Sequence, residues 1–125
     1  MSIQYTTRTD GNILFVRASG FDENLEDVEK YAQGVIDATL QHGTTLVLCD
    51  ETALDYRLGT VDTYAVGKFL ASRVPRVFKI AIVCNPTFNA DARFYENVVV
   101  NRGLNLRMFS DIEKARSWLT ETERN

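Results

Sequence analysis

Leu46-Val47-Leu48-Cys49 is an unbroken apolar run that ends at Asp50. A strand wet on one face alternates apolar and polar residues. A run without alternation fits a strand covered on both faces, as in the interior of a parallel sheet. Parallel neighbours need crossovers long enough to hold a helix, and the sequence supplies them on both sides. Upstream, residues 24–42 set Leu25, Val28, Ala32, Val35, Ile36 and Leu40 at helical spacing, a single buried stripe. Glu23, Glu26, Asp27 and Glu29 crowd its first turns, where the helix dipole favours negative charge, and Gly43 reads as its stop. Downstream, residues 50–59 read as a loop. Thr60 reads as the N-cap of a second helix over 61–73 with a stripe of Val61, Tyr64, Ala65, Phe69 and Leu70, and Pro75 ends it.

The same rhythm of apolar run and helical pattern extends in both directions and occurs four times between Ile13 and Leu119. Residues 77–84, centred on Ile80-Ala81-Ile82-Val83, form the next strand, broken by Asn85-Pro86-Thr87. A third helix over 89–102 buries Ala92, Tyr95, Val98 and Val99, and Gly103 stops it. Residues 104–109 alternate and read as a half-wet strand near an edge. Ser110 and Glu113 have capping-box spacing, opening a last helix that buries Ile112, Ala115, Trp118 and Leu119. The polar stretch 120–125 reads as a frayed tail. At the other end, residues 3–7 and 13–18 flank the turn Asp10-Gly11-Asn12 and read as a hairpin. The order is β-β-α-β-α-β-α-β-α. It implies one α/β domain over residues 1–125, with a five-stranded mixed, mostly parallel sheet and four helices.

The 125 residues are 45% hydrophobic and 25% charged, which suits a single packed core. The net charge of −3, with Arg73, Arg76 and Lys79 interleaved by Val and Phe, offers no basic face to nucleic acid. No apolar run approaches the ~20 residues of a membrane span, and the start lacks the basic-then-apolar pattern of a signal peptide. The cytoplasm is the expected compartment. Cys49 and Cys84 each end an apolar run and lack CxxC spacing, so they read as buried thiols.

The order and lengths of the elements resemble the STAS or SpoIIAA-like superfamily of anti-sigma-factor antagonists over nearly the whole chain. The local matches are the central strand Leu46-Val47-Leu48-Cys49-Asp50 and the closing passage from Arg102 to Ala115. The nearest likeness is to stand-alone bacterial SpoIIAA-like proteins, related in fold to CRAL-TRIO lipid-binding domains. The resemblance implies a non-enzymatic regulatory or protein-interaction module, with a protein partner or a homodimer. The CRAL-TRIO relationship implies a small-ligand or lipid-binding domain as the alternative. Phosphorylatable members carry an Asp-Ser-Ser-Gly type motif at the start of the second helix. This chain has Leu58-Gly59-Thr60-Val61 there, without a Ser. Thr60 is therefore the phosphorylation candidate, and a phosphoswitch is not the expectation.

The residues themselves assemble no nucleophile–base set, metal cluster or phosphate loop, so no catalytic residue, cofactor or metal is assigned. Asp50, Glu51 and Asp55 invite comparison with a metal site, but adjacent strand residues face opposite ways. His42 sits at a helix C-terminus, where a cation is favoured. Ligands of such sheets bind at the carboxyl ends of the strands. That makes Asp50, Glu51, Thr52 and Asn85 candidates for a rim site. The stretch Leu54-Asp55-Tyr56-Arg57-Leu58 mixes Tyr and Arg, residue types enriched at binding hot spots. Either Tyr56 and Arg57 form an interaction surface, or Leu54 and Leu58 pin the loop while those two lie across it. An interaction module should centre its interface on residues 50–66. A ligand-binding domain should have an apolar cavity beneath the second and third helices, lined by residues such as Tyr64, Phe69 and Phe88. An enzyme should lose turnover on Asp50→Ala.

Overall fold

A computed structural model describes residues 2–121. The tail reading therefore holds only its first two residues within the described part, and residues 122–125 lie outside it. Strands β1 (Ile3–Asp10), β2 (Ile13–Phe21), β3 (Leu46–Asp55), β4 (Lys79–Cys84) and β5 (Asn105–Phe109) form one sheet in the spatial order of the chain. β1 pairs antiparallel with β2, and every later neighbour is parallel. The helices are α1 (Leu25–Gln41), α2 (Thr60–Arg73), α3 (Asn89–Asn101) and α4 (Ile112–Thr120), with a 3-10 turn at Pro86–Phe88.

The interior strand behaves as its composition demands. Val47 and Cys49 pack into the larger core with α1, α2 and α3, while Leu48 points to the opposite face, against Ala115 and Leu119 of α4. The three helices that connect parallel neighbours share one face, as crossovers of one hand running in one direction require. α4 follows the final strand, crosses nothing, and covers the other face. Fully buried Leu14, Val16, Leu48 and Val83 show where the sheet is sealed on both sides. Each such side chain contributes roughly 1.5–3 kcal/mol through burial.

Several sequence expectations are corrected. Residues 50–55 are not loop but continue β3, because Arg17, Ser19, Gly20 and Phe21 of β2 pair with Asp50, Ala53, Leu54 and Asp55, with an irregularity between Arg17 and Ser19. Leu40 is 56% exposed, and Thr39, whose hydroxyl donates to the Val35 carbonyl, is buried in its place. Val61 and Tyr64 are 80% and 50% exposed; α2 buries Leu70 as expected, but with Val66 and Gly67 beside it. Thr60 is the first helical residue rather than the cap. Gly59 holds the cap position without a side-chain bond, and the Thr63 hydroxyl donates to the Gly59 carbonyl (2.9 Å). In α4 the cap is Asp111, which accepts from the Glu113 N–H at 2.8 Å, and not Ser110. β4 begins at Lys79, leaving Val77 exposed. In α3, by contrast, Ala92, Val98 and Val99 are buried as expected, and α1 starts on Asn24, which accepts from the Asp27 N–H.

Candidate functional site

The helix-facing side of β3 buries Val47, Cys49 and Leu54, yet between them stands Glu51, which is only 7% exposed. A lone carboxylate in such a place is costly unless donors surround it. Two tyrosines supply them. Tyr31 on α1 donates to Glu51 Oε2 at 2.8 Å, and Tyr56, one residue past β3, donates to Oε1 at 2.6 Å. Tyr31 is braced edge-on by Tyr5 with ring centroids 5.1 Å apart, and Tyr56 leans on Phe88 at 5.6 Å. Burial pushes the Glu51 carboxyl pKa up, and the Tyr56 and Tyr31 hydroxyls only partly oppose it. The same burial, with the Glu51 charge nearby, pushes up Tyr31, Tyr56, Tyr95 and the Cys49 thiol.

These groups border a cavity of about 310 Å³ between the sheet and α1, α2 and α3. That lies at the lower end of the ~300–1,000 Å³ range of small-molecule sites. Its walls are mostly aliphatic and aromatic. Gly59, Thr60 and Asp91, exposed at the N-terminal ends of α2 and α3, place its mouth there. A second buried carboxylate, Asp22, sits just after β2. It accepts from the Arg57 N–H and from the Leu58 N–H (3.0 Å), while its own N–H donates to the Asp55 carbonyl. Asp22 therefore ties the end of β3 to the loop before α2. Burial raises its pKa against those two backbone donors.

The candidates named from the sequence separate into two groups. Glu51 and Tyr56 meet in the cavity, and Thr60 stands at its mouth. Asp55 and Arg57 pair at 3.6 Å beside it, with the Arg57 guanidinium over the Phe21 ring at 4.0 Å. Asp50 is not part of this assembly. It bonds the Thr52 hydroxyl (2.7 Å) and pairs with Arg17 at 3.7 Å, while Asn85 reaches the Thr52 carbonyl and caps the 3-10 turn. The strand alternation argued above thus places Asp50 and Glu51 on opposite sides. Among the described residues, no group of three or more His, Cys, Asp or Glu is placed to hold a metal ion. Tyr64, Phe69 and Phe88, expected to line the cavity, do not; Tyr64 stacks edge-on against Phe94 at 5.4 Å, bridging α2 and α3.

Three members of the site escaped the sequence reading. Tyr31 lies beside Ala32 of the α1 stripe and was given no role. Tyr95 was assigned to the core, and its polar end went unused. Asp22 sits between Phe21 and Glu23 with nothing local to mark it. Tyr95 lines the cavity, and its hydroxyl makes no hydrogen bond among the described residues.

No family model matches the sequence, and no curated protein is significantly similar to it. Solved structures are similar in fold. A crystal structure of an anti-sigma factor antagonist from Mycobacterium paratuberculosis superposes with a TM-score of 0.65 at 13% identity, covering 96% of both chains. An uncharacterized protein with a SpoIIAA-like fold from Shewanella loihica superposes with a TM-score of 0.55 at 20% identity, covering 94% of both. The chain has the SpoIIAA-like fold that its order of elements resembles. No helix among the described residues is long and apolar enough to cross a membrane.

Proposed function

We propose that this chain is a non-enzymatic regulatory module that binds a small, mainly apolar ligand in the cavity between its sheet and α1, α2 and α3. The observation that carries the reading is the buried Glu51, held by Tyr31 and Tyr56 in the wall of a mainly apolar cavity. Well-formed apolar pockets with a few convergent polar groups are the usual form of a small-molecule site. The one thiol that lines the cavity, Cys49, has its pKa pushed far up by burial and keeps its proton, which supports binding rather than nucleophilic chemistry. The mycobacterial neighbour is an anti-sigma factor antagonist, which supports the regulatory half of the reading. The absence of a Ser at the Thr60 position argues for control by ligand rather than by phosphate.

A second reading, docking of a protein partner or of a second copy, is favoured by Val61 and Tyr64. Both are large, exposed and on α2 beside the cavity mouth. The two readings join if the ligand sets the position of α2.

Native mass spectrometry of the chain purified from its own host tests both. The ligand reading expects a stoichiometric small-molecule adduct that is lost in Ala32→Phe, which grows into the cavity. A bare chain in every preparation, with no thermal shift from any apolar small molecule, sinks it. A bare dimer that dissociates in Val61→Lys, Tyr64→Lys favours the second reading.

A further inference from the structure

The charge of the cavity wall is one-sided. Glu51 and Asp22 are buried in it, Asp91 stands at its mouth, and among the described lining residues there is no Lys, Arg or His. Two of the lone-pair directions of Glu51 are taken by Tyr31 and Tyr56; a carboxylate has about four. The free Tyr95 hydroxyl adds another acceptor, and the rings of Tyr31, Tyr56 and Tyr95 offer faces that attract cations.

We infer that the ligand of this cavity is a cationic amphiphile, a protonated primary amine on an apolar body, with the ammonium seated at Glu51. The inference rests on the ligand-binding reading above and gives that ligand its headgroup. A carboxylate or phosphate headgroup would sit beside two buried acids with no cation to balance it, in surroundings where like charges repel strongly. An ammonium meets the opposite situation: it completes the hydrogen bonding of Glu51 and neutralises it. The N-termini of α2 and α3 at the mouth each carry about half a positive charge, which would favour anions. Asp62 and Asp91 in their first turns offset those ends. Glu51, with no cation among the described lining residues to balance it, then sets the sign.

The test is isothermal titration calorimetry of the full chain at neutral pH with octylamine, octan-1-ol and octanoate, one chain length under three headgroups. Octylamine is expected to bind one-to-one, about tenfold or more tightly than octan-1-ol, as a charge-assisted hydrogen bond implies. Octanoate is expected to bind no better than the alcohol. Glu51→Gln should bring octylamine down to the level of octan-1-ol. Octanoate binding as tightly as octylamine overturns the headgroup inference while leaving the cavity a ligand site, as does an octylamine affinity untouched in Glu51→Gln. Failure of all three ligands overturns both. The comparison of headgroups on the unsubstituted chain decides the matter even where Glu51→Gln folds poorly.

Discussion

Replacing Glu51 with Gln should change how the stability of this protein depends on pH. In the folded chain, burial raises the Glu51 pKa above the ordinary carboxyl value of 4.5, despite the Tyr56 and Tyr31 donors. The folded state therefore keeps a proton that the unfolded state releases. Below about pH 4.5 both states are protonated and the group contributes no slope. As pH climbs from there toward the raised folded value, the unfolded chain gains a hydrated carboxylate and the folded chain does not yet. Stability then falls by up to about 1.4 kcal/mol per pH unit. Asp22, raised by burial from 3.8, adds a contribution of the same sign. Glutamine keeps the shape and cannot ionise. Its carbonyl accepts from one tyrosine and its amide donates to the other, so at low pH the variant loses at most about 1 kcal/mol, one imperfect hydrogen bond. Urea denaturation followed by Trp118 fluorescence, between about pH 4 and 8, measures the difference. The variant should start slightly less stable and gain on the parent as pH rises above about 4.5, until Glu51 of the folded parent has ionised as well. Parallel curves would refute the reasoning, because they would mean that Glu51 ionises as freely as in water.

Other outcomes follow from packing and caps. Gly67 faces α3, and a Cβ there would lie 2.5 Å from Val98 Cγ1; Gly67→Ala should lose about 1–3 kcal/mol by pushing the helices apart, measurable by the same denaturation. Asp111→Ala should lose about 1 kcal/mol and Ser110→Ala stay within about 0.5 kcal/mol; the reverse order would return the cap to Ser110. Cys49 and Cys84 are both buried free thiols, so a thiol-colouring reagent should label them only as fast as the chain opens; prompt labelling of the native protein would contradict their burial.

The sheet was legible because its evidence is periodic and local. The unbroken Leu46–Cys49 run, the stripe of α1 and the glycines that follow α1 and α3 each speak within a dozen residues. The second half of β3 was not legible, since Asp50, Glu51 and Asp55 are poor strand formers. Pairing with Ser19, Gly20 and Phe21 overrides their preference. The phase of α2 was misread for a related reason. Its contact with α3 runs through Gly67, whose missing side chain allows close approach, and hydrophobic periodicity gives glycine no weight. The site was half legible. Glu51 and Tyr56 lie five residues apart and were both candidates, but Tyr31 reaches Glu51 across 20 residues. Asp22 likewise reaches Arg57 across 35. Such contacts exist only once the fold does. At the two cap sites, Thr60 and Ser110 each have a neighbour that can also cap, and composition does not choose between adjacent candidates.

The strands lie in space in the order in which they are made, so each can settle on the one before it as the chain emerges during synthesis. α1, α2 and α3 travel with their strands and cover one face step by step. The opposite face waits. Phe15, Leu48, Ala81 and Val83 pack against the nine-residue α4, and Arg116 then clasps Asp10 from 106 residues away. Until that helix arrives, the nascent protein presents a bare apolar sheet, the kind of surface on which unfinished chains aggregate or recruit chaperones. A truncation just short of residue 112 would keep the cavity and all five strands yet behave as a sticky intermediate.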